Sequence, residues 1–157
     1  MTPGSATETI SGEMRAKLVD AADNAAKLAY CPYSNFRIGA AVVADSEVFS
    51  GCNIENASYG LTICAERTAI FKAVSGGHRR ITAIALICLD ADRDAPPTTR
   101  MPCGACCQVL AEFGNRNTLV IVDGVGEMRL SDLLPKPFEL KRSFAFNSKA
   151  PRFRPAS

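Results

Sequence analysis

The chain has 157 residues, enough for one compact domain whose core needs no disulfide staples. Hydrophobic residues make up 47% and charged residues 22%, and the 18 basic and 16 acidic side chains leave a formal charge of +2. That balance argues against a nucleic-acid binder working through a broad basic face. No run of eighteen apolar residues offers a membrane-spanning helix, and the single histidine, His78, excludes any mechanism needing two.

Residues 1–10 are polar and small and read as a flexible arm without the layout of a secretory signal. With seven cysteines and no such signal, the expected setting is a reducing cytoplasm, where thiols persist and metal binding is their more natural use. From Ser11 the apolar residues Met14, Leu18, Ala21, Ala22, Ala25 and Leu28 recur at helical spacing. Ser11 is placed to cap that helix, with Glu13 in its first turn, and Pro32 stops it. Two runs rich in β-branched residues follow, Phe36–Val43 and Glu47–Ile54, with Ala44-Asp45-Ser46 between them as a hairpin turn.

A second helix is expected over Cys64–Val74, ended by Gly76-Gly77, and His78 falls in the loop beyond as a solvated residue. Ile81–Leu89 is nearly all apolar, as in a strand buried on both faces. Asp90–Met101, with Pro96 and Pro97, reads as a surface loop. Cys103–Phe113 is helical and ends at Gly114. Leu119–Val122 is another strand, followed by a last one near Met128 and a helical turn at Ser131–Leu134. The tail over 143–157 is irregular and mildly basic. This alternation predicts a three-layer α/β/α domain over residues 11–142, one sheet sandwiched between helices.

Chemistry concentrates on Cys64, in Cys64-Ala65-Glu66, and on Cys103 and Cys106, in Pro102-Cys103-Gly104-Ala105-Cys106. Each set sits where a helix begins, and the unpaired N–H groups and positive dipole end there favour thiolate. Three thiolates fill three corners of a zinc tetrahedron and leave the fourth open to water, the mark of a catalytic site. Glu66 is near enough to shuttle that water's proton. Two other uses of the cysteines stay open on these residues alone. One is a redox C-x-x-C pair, although no Trp or Pro pattern of a redox site surrounds it. The other is a structural zinc closed by a fourth ligand from Cys31, Cys52, Cys88 or Cys107. Of these, Cys107 is turned about 100° away from its neighbour Cys106 on the helix and is poorly placed as a co-ligand.

Cys-Ala-Glu followed by Pro-Cys-Gly-Ala-Cys closely resembles the small, homotetrameric zinc-dependent cytidine deaminases of nucleoside salvage. The likeness runs from about Tyr33 to Phe138 and includes Pro32-Tyr33-Ser34-Asn35-Phe36, Gly51-Cys52-Asn53-Ile54-Glu55-Asn56-Ala57 and Cys64-Ala65-Glu66-Arg67-Thr68-Ala69. The resemblance implies one mixed five-stranded sheet flanked by helices and one Zn²⁺ per subunit, held by Cys64, Cys103 and Cys106. It implies hydrolytic deamination of free cytidine and 2′-deoxycytidine, with Glu66 as the proton shuttle and zinc-activated water attacking C4.

The same likeness implies a contact from the Ala65 backbone N–H to the O2 carbonyl of the base, and a ribose clamp of Asn53 and Glu55. Those two share one face of a strand end while Ile54 points away. Phe36 would pack near the base, Phe138 would reach into a neighbouring subunit's site, and Tyr59 would lie at the subunit interface. Arg67 would offset the negative zinc–thiolate charge. The family commonly follows Pro-Cys-Gly-Ala-Cys with arginine, where this chain has Cys107, so one of two neutralising cations is missing. A same-fold deaminase of a nucleoside antibiotic or another modified cytosine nucleoside is the alternative. A non-catalytic zinc-stabilised module is a third reading, and Glu66 argues against it. No nucleic-acid or membrane partner is expected.

Overall fold

The computed structural model describes residues 10–140. Of the expected N-terminal arm only Ile10 lies inside that range, and the expected tail over 143–157 lies outside it.

Helix α1 spans Gly12–Ala26, and the Ser11 hydroxyl accepts from the Met14 N–H at 3.1 Å as its cap. Its buried stripe is Leu18, Ala22, Ala25 and Ala26. The helix stops two residues before Leu28, which is exposed and outside the stripe. Strands β1 (Ile38–Ala44) and β2 (Glu47–Cys52) form the expected hairpin. Asp45 and Ser46 both have positive φ, as a two-residue turn matching the strand twist requires. β1 starts two residues later than the sequence pattern suggests and β2 ends two earlier, so Asn53 and Glu55 lie just past the strand.

Helix α2 (Ala65–Ser75) is capped by Gly76, and β3 (Ile81–Cys88) follows. Helix α3 (Gly104–Phe113), β4 (Leu119–Val122), β5 (Gly126–Arg129) and α4 (Leu130–Leu133) complete the described chain. Two short 3₁₀ turns are present, Tyr59–Leu61 between β2 and α2 and Pro97–Arg100 inside the expected surface loop Asp90–Met101. His78 is only partly solvated, because its ring packs on Phe49 with centroids 4.8 Å apart.

The five strands form one mixed sheet in the order β2-β1-β3-β4-β5, with β3 and β4 parallel and the other pairs antiparallel. Alternate residues feed two cores. Ala41, Val43, Ala83, Ala85, Ile87 and Leu119 pack with Leu18 and Ala22 of α1 on one face. Ala40, Val42, Ile84, Leu86, Val120 and Val122 pack with α2, α3 and α4 on the other. The three expected layers are therefore present, with one of the described helices on one side and three on the other.

Two glycines set how close the helices approach. A Cβ on Gly39 would stand 2.0 Å from the Ala22 carbonyl oxygen of α1, and one on Gly51 would stand 2.6 Å from the Ala69 N of α2. Without those side chains β1 and β2 seat the two helices at backbone contact. The seating of α2 on Gly51 fixes the helix whose first turn carries the chemistry.

Candidate active site

Cys64 and Cys103 are the N-cap residues of α2 and α3, and Cys106 is in the first turn of α3. The crossover from β3 to the parallel strand β4 is what carries α3 to the side of α2. The Sγ atoms of Cys64, Cys103 and Cys106 lie within 4.8 Å of one another, and Cys103 and Cys106 are 3.4 Å apart. Zinc bound by thiolates at about 2.3 Å in a tetrahedron spaces its sulfurs by about 3.8 Å, so the three thiols fit three corners of such a site. Cys107 is buried and points its Sγ toward the Pro102 carbonyl at 3.9 Å, away from the cluster. Its burial pushes the thiol up to about 11.

The charge in the cluster rests on Cys64. A hydrogen bond from the Cys106 thiol and the Arg67 guanidinium hold Cys64 down at about 5 against the opposing effect of burial. Cys106 moves the other way and keeps its proton, because it donates to Cys64 and is itself desolvated. Arg67 Nη2 stands 3.4 Å from Cys64 Sγ, one turn along α2, and the thiolate raises the guanidinium's own pKa. Its Nε is buried with no hydrogen-bond partner.

Glu66 is in the first turn of α2 and 4% exposed. Burial, aided by the Cys64 charge, pushes its carboxyl up to about 7, while its own backbone N–H and the Cys106 thiol pull the other way. A carboxyl poised near neutrality can take and return protons at physiological pH. Ala65 is fully buried at the head of α2, where backbone N–H groups have no partner within the helix.

The polar residues after β2 face the segment 33–38. Asn53 is buried, and its Oδ1 accepts from the Ile38 N–H at 2.8 Å while its Nδ2 donates to the Phe36 carbonyl at 2.8 Å. Glu55 accepts from the Tyr33 N–H at 2.9 Å and the Ser34 N–H at 3.2 Å, and also takes a short bond from the Ser34 hydroxyl. Those bonds hold its carboxyl below the usual range, the Ser34 hydroxyl most of all. Ile54 points outward and is 46% exposed, as the alternation requires. An open cleft of about 330 Å³ lies against Glu55, Ser34, Tyr33, Tyr59 and Thr62.

Phe36 is half-buried ahead of β1. Tyr59 is largely exposed and makes an edge contact with Tyr33, centroids 5.8 Å apart. Phe138 is 71% exposed, yet its backbone is held by the Gln108 side chain. The sequence pattern drew attention to neither Ser34 nor Gln108 as a structural partner. Both act through hydrogen bonds to residues 21 and 30 positions away, which leave no local signature.

Residues 13–122 match the family described as the cytidine and deoxycytidylate deaminase zinc-binding region. The chain belongs to this zinc-dependent deaminase family. It is 47% identical over 129 residues to a cytidine deaminase of Halalkalibacterium halodurans, spanning 79% of this chain and 93% of that one. It is 46% identical over 120 residues to a cytidine deaminase of Mycobacterium tuberculosis, spanning 76% and 85% of the two chains. The crystal structure of a cytidine deaminase from Burkholderia pseudomallei superposes with a TM-score of 0.70 at 43% identity, covering 82% of this chain and all of that one. The matched family region is zinc-binding, and the three-thiol cluster is of a kind that could hold such an ion.

Proposed function

We propose that this protein hydrolyses free cytidine and 2′-deoxycytidine to uridine and 2′-deoxyuridine with release of ammonia, with residues 11–142 as one catalytic unit. The observation that carries this reading is the buried Glu66 carboxyl beside three thiols able to hold a zinc ion. Relatives named as cytidine deaminases support a cytosine nucleoside as substrate and do not favour the alternative of a nucleoside antibiotic.

Cys64, Cys103 and Cys106 hold the zinc, which when bound makes a water acidic enough to serve as hydroxide near neutral pH. Glu66 takes the proton from the attacking water and delivers it to N3 of the ring as oxygen adds to C4. It then takes the remaining proton from the oxygen added at C4 and passes it to the exocyclic amine, so that the C4–N bond breaks, the C4 carbonyl forms and ammonia leaves. The Ala65 N–H orients the base through O2. Arg67 balances the excess negative charge of three thiolates. Asn53 and Glu55, already oriented by their bonds to the segment 33–38, bind the ribose 3′-hydroxyl. Phe36 packs against the base.

The exposed Phe138 and Tyr59 support a homotetramer in which Tyr59 lines the subunit interface and Phe138 completes a neighbour's site. Apolar rings left this open to water are what an interface covers. The modest net charge supports a free nucleoside over a nucleic-acid strand. None of the described helices is long and apolar enough to cross a membrane, and the cysteine content supports a cytoplasmic setting.

Two assays test this. Purified zinc-loaded protein is offered cytidine and, separately, a single-stranded oligonucleotide containing cytosine; turnover of the nucleoside alone is expected, and preference for the strand refutes the substrate assignment. Subunits carrying Glu66→Gln are then mixed with subunits carrying Phe138→Ala. Recovery of activity on mixing is expected if sites are shared, and no recovery refutes sharing.

A further inference from the structure

Gln108 sits on α3, two residues beyond Cys106, and its side-chain amide grips the backbone of Phe138 on both sides. Gln108 Nε2 donates to the Phe138 carbonyl at 2.9 Å, and the Phe138 N–H donates to Gln108 Oε1 at 3.0 Å. Together the two bonds satisfy Phe138 as a ladder partner in a sheet would, although the residue belongs to no strand. A third bond ties the same segment down upstream, from Arg116 Nη1 to the Pro135 carbonyl at 2.9 Å. Pro135 and Pro137 restrict the backbone between the two ties.

The ring carried by this pinned backbone is 71% exposed and covers little of its own chain. Among the described residues, the clamp therefore holds in place a residue whose side chain is left largely open to solvent. Ordering a segment in advance removes a cost otherwise met on association. Gln108 meets this requirement with a donor and an acceptor side by side on one planar, uncharged amide. The helix it springs from also carries Cys103 and Cys106, so the clamp fixes Phe138 to the same rigid body as two of the thiols.

We propose that Gln108 is a positioning residue for the deamination, acting through Phe138: it presets the ring that completes a neighbouring subunit's site. The inference rests on the reading that Phe138 serves a neighbour.

The test is a double-mutant cycle on the zinc-loaded full chain, using Gln108→Ala, Phe138→Ala and the pair, with cytidine kinetics, zinc content and thermal midpoint measured for each. Gln108→Ala is expected to lower kcat/KM about tenfold, mainly through KM, as two partly exposed hydrogen bonds to a substrate-contacting segment would. Zinc content and thermal midpoint stay as in the parent. In the Phe138→Ala background the same change has no further effect on kcat/KM. Gln108→Glu keeps the size and the acceptor but turns a carboxylate oxygen toward the Phe138 carbonyl, and it fails to rescue.

Equal losses from Gln108→Ala in both backgrounds overturn the proposal, as does loss of zinc or full activity of either Gln108 variant. If Phe138→Ala itself leaves kcat/KM unchanged, the shared-site reading fails first. An impaired Phe138→Ala with additive Gln108→Ala sinks only the role of Gln108.

Discussion

The Arg67 guanidinium hydrogen-bonds the Cys64 sulfur at 3.4 Å from one turn further along α2. The position that follows Cys106 holds Cys107, a buried thiol pushed up to about 11, and so supplies no cation to the cluster. Charge compensation at the thiolates thus falls on Arg67. Arg67→Gln is expected to lower turnover by about tenfold or more, the scale of a charge-assisted hydrogen bond. The loss should exceed that in a relative whose motif ends in arginine. Parallel kcat measurements on both proteins check this, and equal losses contradict it.

Glu66 makes the metal-free fold pH-sensitive. Its folded pKa is raised to about 7 from an ordinary 4.5, so between those values the native state binds more protons than the unfolded chain. Stability therefore falls as pH rises through that window, and the burial penalty is complete above it. Glu66→Gln removes the penalty. Under chelator and reductant, it should be more stable than the parent by about 3 kcal/mol at pH 8, narrowing below about 1 kcal/mol at pH 5. Urea unfolding at the two pH values reads the difference; a gap that widens toward acid contradicts the account.

Asn53 braces the chain leading into β1 by bonding both the Ile38 N–H and the Phe36 carbonyl. Asn53→Ala leaves two backbone groups without their partners and is expected to cost about 2 kcal/mol, a fall in Tm of about 4–8 °C for a chain of this size. Asn53→Asp should do little better, because its carboxylate faces the Phe36 carbonyl. Calorimetry on the two variants decides this, and an Asp variant as stable as the parent would refute the donor role.

Gly39 and Gly51 separate stability from metal binding. Gly39→Ala pushes on α1, and Gly51→Ala pushes on α2, which begins with Cys64 and carries Glu66. Both are expected to destabilise by about 1–3 kcal/mol. Only Gly51→Ala should also weaken zinc, read by competition with a chromogenic chelator.

Much of the fold was legible because the elements carry their period. The cap at Ser11, the apolar run of β3 and the turn at Asp45-Ser46 are local signals, and each element formed where they indicated. Element ends were less legible. Apolar Leu28 extends the helical spacing, but the helix stops at Ala26 and leaves that side chain exposed. The thiols and Glu66 were legible because a metal site needs fixed donor types at fixed spacing near helix starts. What escaped were bonds between distant positions, such as Ser34 to Glu55 and Gln108 to Phe138. Arg100, in a segment that read as a surface loop, is buried for the same reason: tertiary folding, not local pattern, brings it under cover.

Everything proposed for this site depends on Glu66 moving the protons in a zinc-dependent deamination. The most direct measurement follows ammonia release from cytidine by the zinc-loaded protein beside a Glu66→Ala variant shown to retain its metal. Turnover by the parent, lost in the variant at equal zinc content, is the expected result. Turnover that survives in the variant, or none in the parent despite one zinc per chain, would contradict it.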